Sequence, residues 1–169
     1  VQVKLLARGE RCGLQLLDPL SLLWPERTPA PRMLEAEITT RCYLRCSFCE
    51  STYFPSDYRR QNDLTYEQFV DMVRQFGDLR YVNLTGMGSS WLNPDFEKML
   101  AYCHEHDIYM TVIDSFNRLT LGQMHSLIRY GGKKIPVSLD AATPEVYAKV
   151  REGGDFYTVL ENVRLFRAL

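Results

Sequence analysis

Apolar and polar positions divide the chain into short runs and longer amphipathic stretches. "MLEAEIT", starting near residue 34, has the period and length of a strand, and "YVNL", "IYMTVI" and "IPVSL" follow near residues 81, 109 and 135. Helical periodicity fills the intervals. Thr65 and Gln68 have capping-box spacing ahead of "FVDMVRQF", and Thr120 and Gln123 repeat it ahead of "LGQMHSLIRY", which Gly131 and Gly132 end. Between them, Asn93 with Pro94 at the first helical position predicts a helix through "DFEKMLAYCHEH". "TPEVYAKVR" and "FYTVLENVRLFRAL" close the chain as helices.

Strand alternating with helix implies a parallel sheet, because each crossover returns the chain to the same end. The spacings of 47, 28 and 26 residues between strand starts give the later units βα length and put an inserted loop in the first. Chemistry is then expected at the C-terminal ends of the strands. Residues 1–33, with the Pro-rich "PERTPAPR", predict an N-terminal arm and linker, and residues 34–169 a single core domain.

A net charge of −1 gives no field favouring nucleic acid or an anionic membrane, and no apolar run approaches the roughly 20 residues of a spanning helix. Neither is expected as a partner. The cysteines change the picture more. Three of the five, Cys42, Cys46 and Cys49, stand as C-x3-C-x2-C in "RCYLRCSFCE", directly after the first strand. Thiols so close do not suit a disulfide framework and point to metal ligation in a reducing compartment, the cytoplasm. Zinc completed by His104 or His106 is one solution, since structural zinc takes four ligands. The other is a [4Fe-4S] cluster with three irons held by thiolates and the fourth open to a ligand. Cys12 and Cys103 have no partner at ligand spacing and read as packing residues.

C-x3-C-x-aromatic-C at the end of a first strand resembles the radical S-adenosylmethionine (radical SAM) enzymes, in particular the N-terminal part of the core of SPASM-type, peptide-modifying members. The resemblance implies cluster ligation by Cys42, Cys46 and Cys49, with Phe48 near the adenine of SAM. It implies reductive cleavage of SAM to methionine and a 5'-deoxyadenosyl radical that abstracts hydrogen from a peptide, protein or small metabolite. An electron donor such as a flavodoxin or ferredoxin is implied with it.

Two further segments extend the likeness. "LTGMGSSWLNPDF" resembles the family's glycine loop, with Gly86 and Gly88 in place for close backbone approach to the SAM amino group. Ser89 and Ser90 stand where that loop usually carries Glu-Pro, so a hydroxyl replaces a carboxylate. "VSLDAATPEVYAKVREGGDFYTVLENVRLF" resembles the fourth strand and following helices, which implies Ser138 bonding the SAM carboxylate or ribose and Arg151 pairing with the carboxylate, with Asp140 similarly placed. Where the family often has Asn-Gly after the third strand this chain has "DSFN", and no role carries over to Asp114 or Asn117. Arg45, Arg59 and Arg60 are available to offset cluster charge.

The expected architecture is therefore α/β, a partial TIM-type (βα) barrel apparently truncated after about four units, with an open edge. The alternative in function is a non-catalytic or degenerate iron–sulfur or zinc module, signalled by Ser89.

Overall fold

The computed structural model describes residues 3–6, 31–54, 62–131 and 134–169. Three parallel strands carry the fold: β2 (Met33–Ala36), β4 (Tyr81–Asn83) and β5 (Tyr109–Thr111). Leu34, Val82 and Met110 align across all three and are fully buried, so one apolar stripe crosses the sheet. The N-terminal segment contributes β1 (Val3–Leu6), antiparallel to β2. The sheet order is β1-β2-β4-β5.

That order refines two expectations. The edge of β2 is not left open, because β1 occupies its hydrogen-bonding groups. The fourth expected strand, "IPVSL", lies beside β5 through isolated parallel bridges, Thr111 with Lys134 and Asp114 with Val137. Pro136 lacks an N–H, so a ladder cannot run unbroken through this segment. Among the described residues the sheet is open. Of the expected arm and linker, residues 1–33, residues 1–2 and 7–30 lie outside them.

The helices are α1 (Tyr66–Arg74), α2 (Phe96–Glu105), α3 (Leu121–Arg129), α4 (Pro144–Val150) and α5 (Phe156–Ala168). Thr65 with Gln68 and Thr120 with Gln123 form complete capping boxes at the starts of α1 and α3. Phe69, Val70 and Val73 share the buried face of α1, and Tyr102 of α2 meets Phe69 edge-on at 5.9 Å. Cys103 is fully buried in α2, and burial pushes its thiol up to about 12, as befits a packing residue. No helix among the described residues is long and apolar enough to cross a membrane.

Asn93 does not cap α2, which begins three residues later. Its side-chain amide instead donates to the carbonyls of Ile38 (2.6 Å) and Leu64 (2.9 Å), and its Oδ1 accepts from the Asp95 N–H. One buried side chain thus ties the end of the first strand segment to the entry of α1. Asn93→Ala removes both of these bonds; the Ile38 carbonyl keeps the Leu64 N–H at 2.9 Å while the Leu64 carbonyl loses the amide, and the change is expected to cost about 1–3 kcal/mol, read from the urea midpoint.

Candidate functional site

Beyond β2 the chain enters the cysteine loop under close restraint. The Thr39 hydroxyl donates to Asp63 at 2.6 Å and accepts from the Arg41 N–H at 3.1 Å. The Arg41 guanidinium bonds both Asp63 oxygens and the Leu92 carbonyl. The residue before Cys42 is therefore held from two directions.

Beyond β4 the glycine loop lies against this segment backbone to backbone. The Ser89 N–H donates to the Arg41 carbonyl at 2.8 Å. A Cβ on Gly88 would stand 2.3 Å from the Thr39 carbonyl oxygen and 2.7 Å from that of Arg41. Only glycine admits this approach. Ser90, at the usual proline position, is buried and donates to the Leu84 carbonyl at 3.0 Å, bracing the loop from within.

A third piece is a small antiparallel pair, β3 (Arg45–Cys46) with β6 (Arg151–Glu152), which sets Cys46 opposite Arg151. Arg151 donates through Nη1 to the Cys46 sulfur at 3.6 Å and through Nε to Asp140 at 2.7 Å. Its guanidinium lies over the Phe48 ring at 5.3 Å from the centroid. Burial raises the Cys46 thiol, while the neighbouring Arg151 charge opposes that rise.

These pieces enclose one open cavity of about 330 Å³. Cys42, Cys46 and Cys49 line it together with Phe48 and Arg151. Gly86, Gly88, Ser89 and Ser138 line it from the β4 loop and the fourth strand segment. The three cysteines, Phe48, Gly86, Gly88, Ser89, Ser138 and Arg151 thus meet at one place. Ser89 Oγ is 3.3 Å from the Cys42 sulfur, and Ser51 Oγ is 3.1 Å from that of Cys49. Asp140, exposed and at a positive φ of 52°, serves Arg151 instead of the cavity wall. Arg45 is exposed, and Arg59 and Arg60 lie outside the described residues.

Three thiols in one loop on one cavity are a donor set that suits thiolate ligation of an iron–sulfur cluster. Among the described residues no three Cys, His, Asp or Glu side chains converge on a point where one ion would be held. Cluster thiolates sit on different irons and need not converge in that way. His104 lines a separate cavity with Tyr130, and His106 stacks on Tyr102 at 3.9 Å, so neither completes a zinc site with the cysteines.

Sequence reading missed two acidic residues. Asp114 lines the cavity at 6% exposure, accepts from the Phe116 N–H at 2.6 Å, and is raised by burial from 3.8 to about 6. Beside it, Ser115 Oγ and Tyr43 Oη are 2.5 Å apart, and burial first, then the Asp114 charge, pushes the Tyr43 phenol up to about 12. The available signal was a carboxyl at the C-terminal end of the third strand, where parallel sheets collect ligands. Asn117 is structural: its amide reaches Tyr147 Oη at 2.5 Å and accepts from the Asp155 N–H at 2.6 Å. The second missed residue, Glu37, is buried directly beneath the glycine loop.

A parallel α/β sheet with three cysteines in the loop after one strand and a glycine loop after the next defines a cofactor-binding core. Comparison with known proteins assigns it. The sequence profile of the Radical SAM superfamily matches residues 36–169, and the chain belongs to that family. It is 31% identical over 117 residues to a PqqA peptide cyclase of Streptomyces rochei, covering 68% of this chain and 31% of that protein. It is 30% identical over 139 residues to a GTP 3',8-cyclase of Limosilactobacillus fermentum, covering 78% of this chain and 40% of that one. The mycofactocin maturase MftC of Mycobacterium tuberculosis matches at 30% over 129 residues, covering 75% of this chain and 32% of that protein. The fold also matches the Streptococcus suis SuiB structure bound to S-adenosylmethionine, with a TM-score of 0.72 at 18% identity over 88% of this chain and 34% of that one. The chain therefore spans between three tenths and two fifths of these curated relatives.

Two outcomes follow from the geometry. Gly88→Ala drives a methyl into backbone carbonyls that cannot yield, and is expected to lower stability by about 2–3 kcal/mol in thermal melts. Between its unfolded value and about 6, Asp114 keeps a proton in the folded chain that the unfolded chain releases. Stability should therefore fall as pH rises from about 4 to 6, by on the order of 3 kcal/mol, and Asp114→Asn should flatten that slope in denaturant titrations at stepped pH.

Proposed function

We propose that the chain is the N-terminal portion of a radical SAM catalytic core, in which Cys42, Cys46 and Cys49 ligate a [4Fe-4S] cluster and the adjoining wall binds SAM. The observation that carries this reading is the meeting of three thiols and the glycine loop on one cavity, with no histidine among its described lining residues. Held by these three cysteines, such a cluster would supply the electron needed to cleave SAM reductively into methionine and a 5'-deoxyadenosyl radical able to take hydrogen from a substrate.

This chain's residues hold and orient. Gly86 and Gly88 bring backbone close to the amino group of the cofactor. Ser138 and Arg151 face its carboxylate from the other side of the cavity, and Arg151 also donates to a ligand sulfur. Phe48, 56% exposed, offers a ring face to adenine. Residues 34–169 are assigned to this domain and residues 1–33 to the arm before it, from which Val3–Leu6 joins the domain's sheet. A reducing cytoplasm suits the free thiols, and a flavodoxin or ferredoxin supplies the electron.

The substrate class we infer is a peptide or protein. Among the relatives are a PqqA peptide cyclase and the mycofactocin maturase MftC, and the fold is shared with SuiB, whose structure is known bound to the precursor peptide SuiA. The GTP 3',8-cyclase keeps a small-molecule substrate as the alternative. A second reading, a degenerate cluster-binding module, is favoured by one feature, the hydroxyl of Ser89 where the family pattern carries a carboxylate.

Incubating the anaerobically reconstituted, dithionite-reduced chain with SAM tests the proposal. Release of 5'-deoxyadenosine is the expected outcome, and a loaded cluster that releases none supports the degenerate module. Cys46→Ala should reduce bound iron well below the about four per chain of a filled cluster, read by iron assay.

A further inference from the structure

Glu37 follows β2, is 7% exposed, and does not line the cavity. The glycine loop rests directly on it. A Cβ on Gly86 would lie 2.3 Å from Glu37 Cγ and 2.6 Å from its Oε1, so only glycine lets the loop settle onto this side chain. The Met87 N–H then donates to Oε1 at 2.8 Å. Burying a carboxylate in a strand end is costly unless it is bonded, and the loop amide supplies the bond.

The direction of that bond has a consequence on the other side of the loop. No cis peptide occurs among the described residues, and in a trans peptide N–H and C=O point opposite ways. With the Met87 N–H aimed down at Glu37, the Gly86 carbonyl of the same peptide unit faces away from it. Gly86 and Met87 both line the cavity, and Glu37 does not. An amide whose N–H is bonded to a carboxylate has a more negative carbonyl oxygen, because hydrogen bonds in series polarise one another.

We infer that Glu37 is a positioning residue that acts through the Gly86–Met87 peptide to make the glycine loop an acceptor for the ammonium group of SAM. This rests on the cofactor reading above and assigns a source for its charge recognition. Ser89 supplies no carboxylate, and Glu37 is the carboxylate hydrogen-bonded to this loop among the described residues. The inference also predicts selectivity: ligands bearing an ammonium gain from Glu37, and nucleosides lacking it do not.

The test compares two ligands by calorimetry on the anaerobically reconstituted protein: SAM and 5'-methylthioadenosine, which keeps the nucleoside and lacks the amino acid. Glu37→Gln keeps an acceptor of the same size and removes its charge. It should weaken SAM about tenfold and leave 5'-methylthioadenosine unchanged. Glu37→Asp, which draws the charge back by one methylene, should give an intermediate loss confined to SAM. Unchanged SAM affinity in either variant overturns the inference, as does an equal loss for both ligands, which would make Glu37 a support for the pocket as a whole. A wild-type protein that binds neither ligand contradicts the cofactor reading itself, which is a separate result.

Discussion

The contact on which the rest of the site depends is the seating of Gly88 between the carbonyls of Thr39 and Arg41. It joins the loop after β2 to the loop after β4 with no side chain between them. The Ser89 N–H to Arg41 carbonyl bond closes the same junction. Because both strands are parallel and adjacent, their loops leave the sheet at one end, and this contact turns proximity into a fixed wall. Cys42 and Ser89 then face each other across it at 3.3 Å.

Around the junction the polar groups form two layers. The outer layer, the thiols, Ser138 and the loop backbone, faces the cavity. The inner layer, Arg41 with Asp63, Asn93 with the Ile38 and Leu64 carbonyls, and Glu37 with the Met87 N–H, holds the outer one in place. Each inner group is bonded, which is the condition under which buried polar atoms specify a geometry without destabilising it. Arg151 belongs to both layers, since it touches Cys46, Phe48 and Asp140 together.

What was legible in the sequence was local or periodic. Capping boxes at Thr65 and Thr120 are four-residue patterns with nearby partners, and both are present. Strand starts followed from apolar runs, and the C-x3-C-x2-C spacing led to the cavity because all three thiols lie in one stretch after β2. Features that depend on distant partners were not legible. Glu37 meets Met87 across 50 positions and Tyr43 meets Ser115 across 72, so no window of sequence contains either pair. Asn93 carried a cap signature, yet its amide was claimed by carbonyls 55 and 29 positions away, which outweighs a local preference. The antiparallel pairing of Val3–Leu6 with β2 was hidden for the same reason.

The central claim is that three thiols leave one iron of a cluster open to SAM within this cavity. Electron paramagnetic resonance of the reduced, reconstituted chain, recorded with and without SAM, tests it most directly. A [4Fe-4S] signal whose g-values shift on adding SAM is the predicted result. A cluster spectrum indifferent to SAM, or zinc bound with no cluster, would contradict it.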